Sequence, residues 1–442
     1  MKHKKSSSKL AKMMVINSIE RIPFLGSFLL YVIRRIKFWV YYKPIFLAHK
    51  IFGGERNPFR VVWVNPADIV YVSGIRRSSK KKINIGTTKG GGWDQSGILF
   101  NDLDTYQSLR ERFVEHKEWE DTEYFQEALK RVLAGEMPWM CRTKKDLQER
   151  TNNLDLLFEQ IKKHGISDSA EDKVDVYSYK DKLTKQSNKS QAFLDYILID
   201  ISRNGDPLFV DGGHRLAIAN ILHIPTIPAL VRIRHKEWAS FRKEMEAYAK
   251  SLGGYLYQKL YHFDLEHIPF SHGNERIQTI RRSTNLTSGT VLDIGAYLGL
   301  HCHVLEDAGF RCTAIETNPT RVHLMKKLRD AVHDSFDVMM GSILLYKKES
   351  KLSFDMVLVL NIFHHFLKDE STFIDLQKLL RRLECKELFF ETHNPSERQM
   401  QPAFKNFTPD EFVDFILLNS VLKHSELLEE VQGGRRLYRL YV

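Results

Sequence analysis

The hydrophobic pattern changes period along the chain, and the changes mark its elements. Residues 291–294 read Val-Leu-Asp-Ile, a short apolar run that predicts a buried strand. The run enters a glycine turn, Gly295-Ala296-Tyr297-Leu298-Gly299, and an apolar helix is expected from about Leu300. Residues 310–315 form a second apolar strand ending at Glu316; Pro319 then opens a helix, with Asn318 as its N-cap. Further strands are predicted over 336–340, 354–360 and 387–390. They run into Gly341-Ser342, Asn361-Ile362-Phe363-His364-His365-Phe366 and Glu391-Thr392-His393-Asn394. Strands alternating with helical segments imply an α/β unit with a doubly wound parallel sheet.

Ligands of such sheets bind at the carboxyl ends of the strands. Asp293, Glu316, Asn361, His364, His365, Glu391 and His393 all fall at such ends. A glycine turn lets a ligand approach the backbone, because no Cβ intervenes, and a helix start offers free N–H groups. Asp293 inside the turn repels a phosphate but suits a cationic amino-acid ligand. Glu316 lies a little over twenty residues past Asp293, a spacing that places an acid on ribose hydroxyls.

The turn and its two acids resemble motif I of the class I methyltransferases, and the likeness extends over about 265–442. It implies a Rossmann-like methyltransferase fold with S-adenosylmethionine as cofactor. The cofactor-binding residues it implies are Asp293, Gly295, Ala296, Tyr297, Gly299, Glu316, Ser342 and Asn361. In that family the turn after the third strand lies against the adenine, often with an acid where Ser342 stands. Residues 361–366 resemble motif IV, where the chain end faces the methyl group and the acceptor. An oxygen acceptor needs a base, and histidine titrates near neutral pH. His364 and His365 are the candidates, with Glu391 or His393 orienting the ring; the bland alternative is that one of the two histidines packs inside. Such groups also ligate divalent metals, but no tight ligand spacing is visible and no metal is expected.

Residues 57–240 hold a second unit. Strands are expected over 196–201, 208–210 and 227–233, with a turn at Asn204-Gly205-Asp206-Pro207. Asp211-Gly212-Gly213-His214-Arg215 leads into a helix with Leu216, Ala219, Ile221 and Leu222 on its apolar face. Glycines at a helix start, followed by His and Arg, suit an anion. A plain turn with Arg215 in a structural ion pair is the alternative. The stretch resembles the ParB/sulfiredoxin-like α+β fold, whose Gly-x-His-Arg type loop contacts nucleotide phosphates. That implies a nucleotide or other anion at Asp211, Gly212, Gly213, His214 and Arg215, or a degenerate scaffold. Sulfiredoxin's catalytic cysteine is absent, because His214 follows Gly213 directly. One charged helix, about 238–257, replaces the DNA-reading motif of partition proteins, and 241–264 reads as a connector. Upstream, Gly90-Gly91-Gly92-Trp93-Asp94 and Trp119-Glu120-Asp121-Thr122 read either as small-ligand contacts or as caps and core. Residues 165–192 read as an exposed loop.

The length, 442 residues, implies two or three domains. Lys and Arg total 66 against 55 Asp and Glu, a net +11, which favours an anionic partner. Cys141, Cys302, Cys312 and Cys385 form no disulfide framework, so a reducing cytoplasm fits. Residues 1–56 are a basic segment, polar and expected to be disordered over 1–12. Residues 24–33 are apolar but too few to span a bilayer. Leu25, Phe28, Leu29, Val32, Ile33 and Ile36 step at helical spacing, with Arg34 and Arg35 off the stripe. Such a basic amphipathic helix can lie on an anionic membrane surface or pack on its own domains. Two readings follow. One is a methyltransferase acting on a small-molecule, glycan or lipid-linked acceptor. The other is a nucleic-acid-associated protein, which lacks support from any zinc finger, helix-turn-helix or RNP-like motif.

Overall fold

Long apolar strands organise both halves of the computed structural model, which describes residues 60–75, 85–166, 196–348, 350–431 and 433–442. The helix expected within 1–56 and most of the loop expected over 165–192 lie outside the described residues. Contacts divide the chain into two units, Met1–Ala239 and Ser240–Val442.

In the first unit, β1 (Val61–Val64), β2 (Thr87–Lys89), β3 (Ile197–Ile201), β4 (Pro207–Asp211) and β5 (Ile227–His235) form one mixed sheet. β5 is buried along its whole length, and it is long enough to carry two partners on one edge. β1 pairs antiparallel over Ile227 to Leu230, and β2 pairs parallel over Ile233 to His235. β3 is fully buried although it carries Asp200. That acid is satisfied: Arg232 Nε donates to it at 2.9 Å, Ser73 Oγ at 2.6 Å and Ile233 N at 3.1 Å. A buried charge is tolerated only with such a partner set.

Helices α1 (Asp104–Phe113), α2 (Glu123–Leu133) and α3 (Lys144–His164) precede β3, and α4 (Gly213–Ile221) follows β4. Of the two Trp-and-acid clusters, the one at Trp119 serves as core and cap. Trp119 is buried with its Nε1 donating to Asp155 Oδ1 at 2.8 Å, and Thr122 caps α2. Asp94 holds Arg203 in a two-pronged pair at 2.8 and 2.9 Å.

Helix α5 (Lys236–Ser251) runs into the second unit. It ends well before the residue 257 expected from the sequence. Gly253 and Gly254 take φ of +94° and +101°, values that stop a helix at little cost only for glycine. The chain then forms β6 (Leu256–Gln258), which pairs parallel with β7 (Phe270–His272). Residues 241–264, read as a connector, therefore belong to the second unit's own structure.

After α6 (Glu275–Ser283) come β8 (Gly289–Ile294), α7 (Leu300–Glu306), β9 (Phe310–Glu316), α8 (Pro319–Ala331), β10 (Asp337–Met340), β11 (Leu352–Leu360), α9 (Glu370–Arg382), β12 (Leu383–Glu391), α10 (Pro409–Asn419), β13 (His424–Val431) and β14 (Arg435–Tyr441). The sheet order is β10-β9-β8-β11-β12-β14-β13. The five strands from β10 to β12 are parallel; β14 and β13 are antiparallel. Both faces are covered, which explains the unbroken apolar run of β11. Val357 and Val359 pack with α9 and α10 on one face; Met356, Leu358 and Leu360 pack with α6, α7 and α8 on the other. The strand order reverses between β8 and β11. Open α/β sheets bind ligands at that switch point, outside the carboxyl ends. Among the described residues, no helix is long and apolar enough to cross a membrane.

Candidate active site

A cavity of about 630 Å³ opens at the switch point, within the ~300–1,000 Å³ usual for cofactor sites. It is lined by Ile294 and Gly295 after β8, Ile315 and Glu316 after β9, Gly341 and Ser342 after β10, and Leu360 and Asn361 after β11.

The turn after β8 is pinned rather than open. Gly295 N and Ala296 N both donate to Ile315 O, at 2.8 and 3.1 Å. Tyr297 N donates to Glu316 Oε2 at 3.1 Å. Three N–H groups of the turn are thus spent on β9. Gly295 has φ +78°, and a Cβ there would lie 2.2 Å from Ile362 Cδ1. Glycine is what lets the end of β11 close on the turn. Gly299 faces the core, since a Cβ there would meet Met325 Cγ and Phe336 Cζ at 3.1 Å.

Glu316 organises the rim. Its Oε1 accepts from Thr317 N and Asn318 N, both at 2.9 Å. Arg321 Nη1 approaches the same oxygen at 3.6 Å, while Arg321 Nε donates to Tyr248 OH at 3.0 Å. The Arg321 guanidinium also lies 4.9 Å over the Tyr297 ring. Burial pushes the Tyr297 phenol up to about 12, and its hydroxyl accepts from Tyr257 N at 3.2 Å.

Asn361 holds a left-handed backbone, φ +63°. Its Oδ1 is buried and meets no hydrogen-bond partner among the described residues. An orphaned acceptor on a cavity wall calls for a donor from a ligand. At Gly341 (φ +148°) a Cβ would enter open space, so the third strand end also leaves room. These observations fit S-adenosylmethionine.

Of the remaining expected residues, His365 alone lines the cavity. Asp293 is buried, with His301 Nδ1 3.5 Å from its Oδ2. Ala296 is fully buried. Of the two adjacent histidines, His365 lines the cavity and His364 is buried beneath it, with ring centroids 4.0 Å apart. The His393 ring is tilted against His364, with centroids 5.9 Å apart. Burial, then the neighbouring His365, His393 and Arg435, hold the His364 ring at about 3. His365 is lowered from its ordinary value by desolvation and by Lys368 and Arg435.

The His364 shift has a stability consequence with a definite sign. An unfolded histidine takes up its proton near 6.5, whereas the folded ring does so near 3. The unfolded state therefore binds more protons in that window. The stabilisation is complete above about 6.5 and is lost as pH falls towards about 3. We expect His364→Gln to flatten the fall in urea midpoint between pH 7.5 and pH 5, measured by denaturation at each pH.

Glu391 stands apart from the cavity as one partner in an ion-pair cluster. Arg276 Nε lies 2.7 Å from its Oε2, and Arg435 Nη1 3.8 Å from its Oε1. Burial raises its carboxyl above the ordinary value despite both arginines. Removing one member of a buried pair strands the other charge. Glu391→Gln should therefore cost about 3 kcal/mol of stability, read as a lowered denaturation midpoint, with cofactor affinity retained.

In the first unit, Asp211, Gly212, Gly213, His214 and Arg215 sit together at the start of α4. Asp211 Oδ1 accepts from Gly212 N at 2.9 Å. Gly212 (φ +91°) packs on β3: a Cβ would lie 3.1 Å from Ile197 Cα. Gly213 faces Phe209 and Thr105. His214 is held at about 3 by burial, then by Arg150 and Arg215. Both glycines thus have packing reasons of their own.

Sequence reasoning missed the wall formed by Leu252, Tyr255, Tyr257 and Ser271, and also Arg321, Ile362 and Phe366. A signal was present for part of it. Gly253-Gly254 breaks the helix, and Tyr255-Leu256-Tyr257-Gln258 then alternates at strand period.

A reversed-order parallel sheet with a glycine turn, a rim acid and a polar β11 end defines an α/β cofactor-binding unit of methyltransferase type. A family model described as "Methyltransferase domain" matches residues 292–383. The C-terminal region therefore carries a methyltransferase domain, and S-adenosylmethionine is its cofactor. No curated protein sequence matches the chain. Among solved structures, one similar entity is the bifunctional kinase-methyltransferase WbdD, at 18% identity and TM-score 0.37, covering 44% of this chain and 45% of that one. Another is the N-terminal domain of EvdMO1 with SAH bound, at 12% identity and TM-score 0.32, covering 46% and 97%. A third is magnesium protoporphyrin IX methyltransferase (ChlM) from Synechocystis PCC 6803 with bound SAM, at 13% and 0.30, covering 38% and 77%. The chain spans a little under half the length of WbdD.

Proposed function

We propose that the second unit transfers a methyl group from S-adenosylmethionine to a hydroxyl on a small-molecule, glycan or lipid-linked acceptor. The observation that carries this reading is the convergence of four strand ends on one cavity, with the unpartnered Asn361 Oδ1 in its wall. When bound, the cofactor supplies an electrophilic methyl group on a sulfonium. The protein's task in an in-line displacement is then mainly to position the acceptor and exclude water. Glu316 orients the ribose, Asn361 accepts a hydrogen bond beside the reacting centre, and His365 takes the acceptor's proton. His364 and His393 back His365 from below and support its placement.

Because His365 is lowered from 6.5, its neutral, basic form persists to a pH below that value. The rate of methyl transfer should fall only as pH drops below about 6.5. A positioned base contributes roughly 100-fold or more, so His365→Gln should lower kcat by about that factor while cofactor affinity stays nearly unchanged. Transfer of tritium from labelled S-adenosylmethionine to hydroxyl acceptors tests the reading.

For the first unit, we propose that residues 211–215 bind an anion, a nucleotide phosphate being the class that the motif suits. Its support is the positive surrounding of His214, where Arg150 and Arg215 both act on the ring. Weaker phosphate or nucleotide binding in Arg215→Ala would support it; unchanged binding would remove it.

A further inference from the structure

The methyl donor and the acceptor must share one cavity. One stretch of the cavity wall is built from Gly295, Tyr297, Glu316, Arg321 and Ser342. A second stretch of the wall consists of Leu252, Tyr255, Tyr257, Ser271, Ile362 and Phe366, and it adjoins the first, with Tyr257 N donating to Tyr297 OH at 3.2 Å. Four of these six residues come from 252–271, outside the matched stretch 292–383.

The second stretch carries no formal charge. The titratable groups on the whole cavity lining, tyrosines aside, are Glu316, Arg321 and His365. Glu316 and Arg321 are engaged with each other and with the turn, as described above. Behind the wall, Arg276 is bound to Glu391 at 2.7 Å, and its Nη1 donates to Tyr257 OH at 3.3 Å. Arg435 is bound to Glu397 at 2.8 Å. Arg276 and Arg435 are thus matched by acids. Lys368, which acts on His365 and donates to Gln399 Oε1 at 3.3 Å, lies off the cavity lining. An anionic acceptor would therefore find little counter-charge on this stretch to replace its lost water. The wall does offer aromatic surface. Tyr257 is fixed edge-to-face against His272 at 4.6 Å and Tyr297 at 5.8 Å. Tyr255 and Leu252 are 53% and 41% exposed, and they extend the apolar surface outward to the cavity mouth. A tyrosine held as Tyr257 is binds the flat face of a ring with little loss of side-chain freedom.

We infer that the acceptor presents an uncharged, hydroxyl-bearing ring, a sugar or a phenol, to the wall formed by Tyr255, Tyr257 and Phe366. The inference rests on the methyl-transfer reading above. In the reaction, the acceptor O–H bond breaks and its proton goes to a nitrogen of His365. An O–CH3 bond forms, and the electron pair of the broken C–S bond stays on sulfur. Asn361 Oδ1 accepts, and a neutral imidazole offers one acceptor nitrogen beside its N–H donor, so a ligand that donates an O–H matches both.

The test uses the full chain loaded with S-adenosylhomocysteine and ligand-observed saturation-transfer NMR with matched probes. Methyl β-glucoside is set against glucose 6-phosphate, and catechol against 3,4-dihydroxybenzoate. The neutral member of at least one pair should show contact, and its charged partner should show several-fold less. Tyr255→Ala, at an exposed position that does not threaten the fold, should reduce the neutral contact several-fold, as should Tyr257→Ala. The pair that responds distinguishes sugar from phenol. Equal or stronger contact by the charged members, or no contact by either neutral probe, overturns the inference. Calorimetry of S-adenosylhomocysteine separates the two levels. If that binding fails, the methyl-transfer reading falls; if it succeeds and the neutral probes fail, only the acceptor class falls.

Discussion

Glu316→Ala should weaken S-adenosylmethionine binding by about 100-fold, measured by isothermal titration calorimetry. The carboxylate does two things at once. It accepts from three backbone N–H groups, those of Tyr297, Thr317 and Asn318, and it stands on the cavity rim where ribose hydroxyls would lie. Hydrogen bonds to a charged group are worth roughly 1.5–3 kcal/mol each. Losing the ligand contact alone therefore corresponds to one or two powers of ten. Loss of the backbone contacts also frees the turn between β8 and α7, which blurs the site for any ligand. Glu316→Gln keeps an acceptor oxygen but loses the charge, and it should fall between wild type and alanine. Equal affinity in all three proteins would remove Glu316 from the site.

Gly295→Ala should reduce cofactor affinity more severely than stability. The backbone at Gly295 has φ +78°, which costs a residue with a Cβ about 1–2 kcal/mol. The larger effect is steric. A Cβ would lie 2.2 Å from Ile362 Cδ1 and 2.5 Å from its Cγ1. These atoms end a movable side chain, so the fold can survive if Ile362 rotates away. Ile362 itself lines the cavity beside Asn361, and its rotation places a methyl group where the ligand belongs. The double variant Gly295→Ala/Ile362→Ala separates the two costs. It should recover most of the affinity while keeping the backbone penalty, visible as a lowered Tm. If the single variant binds the cofactor normally, the turn is not part of the site.

The parallel strands of the second unit were legible because both of their faces are buried. Runs such as residues 356–360 are apolar without interruption, and each ends abruptly in polar residues. The cavity's strand-end residues, Gly295, Glu316, Ser342, Asn361 and His365, were legible for the same reason. The positions of Glu391 and His364 were not. Both follow apolar runs, and only tertiary packing decides which strand-end residues face the cavity and which pair off behind it. Arg276 and Arg435, which engage Glu391, come from distant parts of the chain and leave no local signal. The wall formed by Tyr255 and Tyr257 was hidden by a helix drawn too long. The charge pattern of 238–257 favoured the helix, but Gly253-Gly254 ended it. Asp293 looked like a ligand contact, but in the fold it faces His301 and is buried. In the first unit the turn at Asp211 was visible, whereas the packing of Gly212 on Ile197 depends on β3 lying beneath it.

The most direct test of the account is equilibrium binding of radiolabelled S-adenosylmethionine to the purified full chain. The account predicts saturable binding at one site per chain, competed by S-adenosylhomocysteine and lost in Glu316→Ala. Absence of saturable binding to folded wild-type protein would contradict it.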